Sequence, residues 1–169
     1  MIYHNNSYRN NLMRLGFIGS GQITKAVING LLSSKLKFSK IYISRRNLKI
    51  STELGKKNKK IFVSEDNQKI IDNSDWIFLA ITPNVGNKIL KKLKFKKKHT
   101  IISFISTIKM KDLKKFIKVK AHITRAIPLP PISIKKGPVP IYPPNKKVKN
   151  FFNKLGDVIE IKKEDLSLN

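Results

Sequence analysis

The sequence contains no cysteine. That excludes disulfides, thiolate metal sites and a cysteine nucleophile, and it fits a reducing, cytoplasmic setting, which is the expected location. Carboxylates are scarce too, with 10 Asp and Glu against 36 Lys and Arg. They form no paired motif, so neither a carboxylate dyad nor a metal site is expected. Asp112 and Glu164 read as solvated surface acids. Histidine occurs three times: His4 in a polar lead, His99 in a lysine-rich loop, and His122 among apolar neighbours in a strand pattern. None has a ligand-type partner nearby in sequence. No apolar run approaches the roughly 20 residues of a membrane helix, because lysines interrupt every candidate. No membrane partner is expected.

Positive charge, by contrast, is abundant. The formal net charge is +26 over 169 residues, a balance that suggests a polyanion such as nucleic acid. Its make-up argues otherwise. Lysine supplies 31 of the basic residues and arginine only 5, while asparagine (15) and isoleucine (25) are also abundant. These three share A/T-rich codons, so composition bias raises them together. A nucleic-acid reader more often favours arginine, whose planar fork matches phosphate and guanine. The lysines are scattered over many segments, and no specific nucleic acid is expected as partner. The charge still helps to attract a polyanionic cofactor.

Apolar residues make up 40% of the chain, enough for one buried domain. The expected layout is a disordered lead over 1–11, a single domain over 12–166 and a tail over 167–169. Short β-branched runs alternate with amphipathic stretches, the pattern of α/β units. The expected order is strand Leu12–Ile18, helix Gln22–Ser33, strand Lys40–Ser44, helix Leu48–Lys57, strand Lys60–Ser64 and helix Asn67–Asn73. The nearly continuous apolar run Asp75–Ile81 suits a central parallel strand covered on both faces, with Trp76 and Phe78 as core. Helix Val85–Leu93, strand Thr100–Ile105, helix Lys109–Ile117 and strand Ala121–Ala126 follow. Most of the 8 prolines then fall between Pro128 and Pro144, so that section is expected to be extended and turn-rich, with one short strand at Val139–Tyr142. Helix Lys146–Leu155, stopped by Gly156, and strand Val158–Ile161 complete the series. The fold class predicted is a Rossmann-type, doubly wound, mostly parallel sheet with helices on both faces.

Chemistry enters at the first turn. Gly19-Ser20-Gly21 lies between a strand and a helix, where glycine permits a tight turn and lets backbone approach a pyrophosphate. The helix beginning at Gln22 and Ile23 presents free N–H groups and its positive dipole end to such an anion. The third fingerprint position, normally Gly or Ala, is Thr24. At the end of the second strand, NAD enzymes usually carry an acid for the ribose hydroxyls, whereas NADP enzymes carry small polar and basic groups. Here Ser44, Arg45, Arg46 and Asn47 stand without an acid, and the cofactor predicted is NADP(H).

Several motifs, in order from Leu15 to about Leu166, resemble those of the pyrroline-5-carboxylate reductase family. Gly16-Phe17-Ile18-Gly19-Ser20-Gly21-Gln22-Ile23 is similar to its opening motif, and Ser74 to Pro83 to its strand ending in Ala-Val-Lys-Pro. Ile101 to Thr107 occupies the place of its Ser-x-Ala-Ala-Gly segment. Thr124 to Pro131 resembles its Arg-x-Met-Pro-Asn-Thr-Pro motif, continued by Lys136-Gly137 and Tyr142, and Phe151 to Gly156 resembles its last helix and turn. The resemblance implies an NADPH-dependent oxidoreductase that passes hydride to the imine carbon of a small cyclic amino acid, as in proline biosynthesis. It further implies cofactor contacts at Gly19 to Ile23, Ser44, Arg45, Asn67 and the turn Ala80, Ile81, Thr82 and Pro83. The nicotinamide end would lie near Phe104, Ile105 and Ser106. No residue is assigned a catalytic role. Thr82 stands where the family has lysine, Ile105-Ser106-Thr107 where it has small residues, and Leu129-Pro130 where it has Asn-Thr. In the family a helical domain follows, builds the dimer and holds the substrate; this sequence stops about where that domain should begin. That leaves either a fragment or a chain that binds cofactor without a complete site, and makes a helical partner or homodimer the expected partner. Three readings remain open at this stage: a reductase of that type, a dinucleotide-binding module without turnover, and a basic nucleic-acid-binding protein.

Overall fold

The computed structural model describes residues 12–164. The lead over 1–11, the tail over 167–169 and the last expected domain residues, 165–166, lie outside them. Eight strands form one sheet in the order β3-β2-β1-β4-β5-β6-β7-β8: β1 (Met13–Ile18), β2 (Phe38–Ser44), β3 (Ile61–Ser64), β4 (Trp76–Leu79), β5 (Thr100–Ser103), β6 (His122–Ala126), β7 (Pro138–Tyr142) and β8 (Asp157–Glu160). All neighbouring pairs are parallel except β6 with β7. The chain winds outward from β1 to β3, returns to β4 beside β1, and winds the other way. That reversal between β1 and β4 opens a crevice at their carboxyl ends, where such sheets bind ligands.

Among the described residues, six α-helices cover the faces: α1 (Gln22–Ser33), α2 (Leu48–Lys57), α3 (Asn67–Asp72), α4 (Pro83–Leu90), α5 (Met110–Ile117) and α6 (Lys146–Phe152). Alternation along the central strands sends Phe17, Trp76 and Phe78 to the face covered by α1, α2 and α6, and Ile18, Ile77 and Leu79 to the face covered by α3, α4 and α5. Both faces are therefore apolar, as the unbroken run in β4 requires. Trp76 and Phe78 are core: Phe78 stacks on Phe17 at 4.5 Å and Trp76 on Phe151 at 4.8 Å. The same aromatic set continues through Phe78 to Phe104 at the carboxyl edge.

The proline-rich section is more ordered than composition suggested. Pro130–Ile134 form a 3₁₀ turn pressed on α1, where a Cβ at Gly30 would sit 2.3 Å from the Ile132 carbonyl oxygen. Several elements also end earlier than expected. β4 stops at Leu79 and β5 at Ser103, because both strands reach the crevice and turn. α4 starts at Pro83, whose fixed φ suits a first helical position.

His99 lies in the lysine-rich loop, as expected, and is fully buried there. Its Nδ1 accepts the Lys96 N–H at 2.9 Å, so the proton sits on Nε2, which has no partner among the described residues. Burial, reinforced by Lys98 and Lys96 and only partly opposed by Asp72 and Asp75, holds its pKa below the ordinary value. A folded-state pKa below the unfolded one means the unfolded chain binds the proton first. Stability is then retained above about pH 6.5 and falls as pH drops through the unfolded value toward the folded one. The melting temperature of the natural chain should fall more between pH 7 and pH 5 than that of His99→Gln; equal falls would remove His99 as the cause.

Candidate functional site

The turn after β1 is braced from below. Gly19 has φ +116°, and a Cβ there would lie 2.2 Å from the Ala80 carbonyl oxygen. Both the conformation and the approach to the end of β4 demand glycine. The Gly19 N–H donates to Ser44 Oγ at 2.9 Å, and Ser44 Oγ lies 2.7 Å from Asn67 Oδ1. Ser20 Oγ accepts the Asn47 N–H at 2.8 Å, joining the turn to the start of α2. Thr24 explains its departure from the fingerprint. Its hydroxyl donates to the Gly19 carbonyl at 3.2 Å, and its side chain is fully buried in the slot between helix and strand.

Gly21 behaves differently from Gly19. Its φ of −83° and ψ of −170° suit any residue, and a Cβ there would meet nothing within 4 Å. The fold gives no reason for glycine at this position. It caps α1, which has no side-chain cap and no acid in its first turn, so the helix presents N–H groups that lack an intrahelical acceptor.

Three adjoining hollows cross the carboxyl edge of the sheet. The first, about 420 Å³, is lined by Gly19, Ser44, Arg45, Arg46, Leu48, Glu65, Asn67, Ile81 and Ile89. The second, about 410 Å³, lies over the turn, between Gly19, Ser20, Gly21, Arg46 and Asn47 on one side and Ala80, Ile81 and Thr82 on the other. The third, about 560 Å³, runs beside α1, between Gln22, Ile23, Lys25, Ala26 and Asn29 and the residues Phe104, Ser106, Ile127, Pro128, Pro130 and Ser133. The first two share Gly19, Arg46 and Ile81; the third begins at Gln22, next to Gly21.

Most of the residues expected at the site thus meet along one groove. Pro83 instead opens α4, and the Ile105 side chain is buried in the core behind the site. Sequence reasoning missed Glu65, which forms an ion pair with Arg45. It belongs to no motif and follows a strand with no marker of its own. The register supplies the reason: Ser44 lies opposite Ser64, so the residues after β2 and β3 emerge side by side.

A second acid was misread. Glu164, taken from the sequence as a solvated surface residue, has only 17% of its side chain exposed and faces Arg125, at 1%. Arg125 Nη1 donates to Glu164 Oε1 at 2.6 Å, and Nη2 donates to the Ser106 carbonyl. Glu164 Oε1 also accepts the Met110 N–H at 2.7 Å. The pair pins the loop between β5 and α5, and with it one wall of the third hollow. At the opposite end of the sheet, Arg14 and Asp75 tie β1 to β4 through a two-pronged contact. Burial works against the Asp75 charge, but the Arg14 hydrogen bonds outweigh it and leave the carboxyl below its ordinary pKa. Among the described residues no group of three His, Asp or Glu is gathered that could hold a metal ion, and no helix is long and apolar enough to cross a membrane.

The chain matches known proteins over this α/β domain. Residues 14–107 match the family described as NADP oxidoreductase coenzyme F420-dependent. Pyrroline-5-carboxylate reductase 3 of Danio rerio is 28% identical over 128 residues, covering 74% of this chain and 44% of that protein. The crystal structure of 1-pyrroline-5-carboxylate reductase from Streptococcus pyogenes superposes with a TM-score of 0.76 at 25% identity, over 92% of this chain and 60% of that one. Pyrroline carboxylate reductase of Plasmodium falciparum, solved with NADP bound, gives a TM-score of 0.77 at 21% identity, with the same two coverages. The chain spans about half of the length of such relatives, and the likeness lies in this α/β domain.

Proposed function

This chain belongs to the NADP oxidoreductase, coenzyme F420-dependent family, and we propose that it holds NADP(H) along the groove as the cofactor domain of a reductase of the pyrroline-5-carboxylate type. The observation that carries the reading is Gly21: a glycine that the fold does not require, over open space at a helix N-terminus, fits a pyrophosphate cradle. The turn from Gly19 to Ile23 would hold the pyrophosphate, and Arg45, Arg46 and the Asn67 amide the 2′-phosphate end. Ser44 would act through the turn, since its hydroxyl is engaged with Gly19 and Asn67. The nicotinamide would occupy the third hollow, where Ile23, Phe104 and Pro128 supply apolar walls that limit water.

Bound NADPH would supply the hydride; the domain's own work is to fix the position of the ring and keep its reacting face open. The substrate class that suits the reading is the imine form of a small cyclic amino acid. Among the described residues, the third hollow offers no free acid or base. The Lys25 ammonium is paired with Glu53 at 3.0 Å, and the remaining polar side chains are the hydroxyls of Ser106 and Ser133 and the amides of Gln22 and Asn29. That observation favours a second reading, a dinucleotide-binding module that turns over only when a helical partner or second subunit completes the site.

Calorimetric titration with NADPH and NADH at two salt concentrations tests the cofactor. Replacing Arg45 and Arg46 together by alanine should weaken NADPH roughly 10- to 100-fold while changing NADH by no more than about 2-fold. Equal losses for both cofactors would place the arginines outside a phosphate site.

A further inference from the structure

We propose that Glu65 sets the cofactor preference of the first hollow, by competing with the 2′-phosphate for Arg45 and by offering a carboxylate to a ribose that lacks the phosphate. The inference rests on the NADP(H) reading above. Among the described residues, Glu65 is the only carboxylate lining that hollow. Asp66, beside it, is occupied as the cap of α3, accepting the N–H groups of Gln68 and Lys69. The two backbones are held together at this point, since the Arg45 N–H donates to the Ser64 carbonyl at 2.9 Å. The side chains that follow close an ion pair.

Exposure decides how the pair behaves. Arg45 is 50% and Glu65 72% exposed, so the contact is screened and easily opened. It therefore does not seal the hollow. It does place a negative charge where a phosphate dianion would sit and leaves Arg46 as the other arginine lining the hollow. A phosphate must displace Glu65 and then lie near it, whereas a ribose diol can donate hydrogen bonds to the same carboxylate, the role an acid at the end of β2 usually plays. Here the acid arrives from the neighbouring strand. The hollow thus carries hardware for both cofactors, with Glu65 narrowing the preference that the arginines create.

The test is titration of the full chain and of Glu65→Gln and Glu65→Lys with NADPH and NADH, repeated with adenosine 2′,5′-bisphosphate and AMP. Glu65→Gln should tighten NADPH about 3- to 10-fold and weaken NADH, and Glu65→Lys should move both further the same way. The fragments should follow, because the effect lies at the adenosine end. A preference ratio unchanged within about 2-fold, or weaker NADPH binding by Glu65→Gln, overturns the role of Glu65. Failure of the natural chain to bind either cofactor overturns the NADP(H) reading itself, so the two failures are distinguishable. All three proteins should share one melting temperature, as expected at so exposed a position.

Discussion

Replacing Gly21 by valine should leave the chain folded and abolish NADPH binding, with a loss of at least about 100-fold, or roughly 2.7 kcal/mol. The stability side follows from the extended backbone at Gly21 and the empty space around its Cβ. Only the weaker capping preference of valine opposes it, a cost of about 1 kcal/mol or less. The binding side follows from the same emptiness, because the branched side chain would fill the space from which a pyrophosphate reaches the first N–H groups of α1. Gly21→Ala should fall between the two. Thermal unfolding and calorimetry on the same samples give both numbers. Normal NADPH affinity in Gly21→Val would show that the turn is not a phosphate cradle. A large drop in melting temperature would mean that glycine is structural there after all.

Glu164→Ala should cost about 3–5 kcal/mol and lower the melting temperature by roughly 10 °C. It strands the Arg125 guanidinium, already without a partner on Nε, in a buried position without its counter-charge. It also removes the acceptor of the Met110 N–H. Replacing both partners, Arg125→Met with Glu164→Leu, should cost less than the single change, because a buried pair contributes little beyond the penalty of breaking it. Urea unfolding of the two singles and the double gives the coupling energy. A double variant as unstable as the sum of the singles would show the two residues to be independent.

Much of the architecture was legible because it depends on local patterns. Helices α1 and α2 run over the expected residues, since helical spacing and the flanking Gly21 and Asn47 mark their ends. Strand ends were less legible. Ile81 and Ile105 continue the apolar runs of β4 and β5 but serve the core beyond the crevice, and hydrophobicity does not distinguish those uses. The 3₁₀ turn at Pro130–Ile134 depends on contact with α1, from which it is about 100 residues distant along the chain. The glycine turn and the two arginines were readable as site candidates because each follows a marked strand, the turn after β1 and the arginines after β2. Glu65 and the pair Arg125–Glu164 were not, since each acid meets its partner through sheet register or chain return. His99 shows the same limit: six lysines within 91–98 mark a surface loop, yet the imidazole turns inward.

The bracing beneath the glycine turn has a bearing on how such a domain can change over generations. Ser20, Ser44 and Thr24 hold the backbone of the turn through contacts that do not involve Arg45, Arg46 or Glu65. In the proposed reading, the grip on the common part of a dinucleotide would be mounted on buried groups, and the choice between its phosphorylated and plain forms on exposed ones. Drift at the exposed positions would then retune cofactor use without endangering the fold, whereas drift at the buried serines would not. Preference would be the adaptable trait of such a domain, and attachment the inherited one.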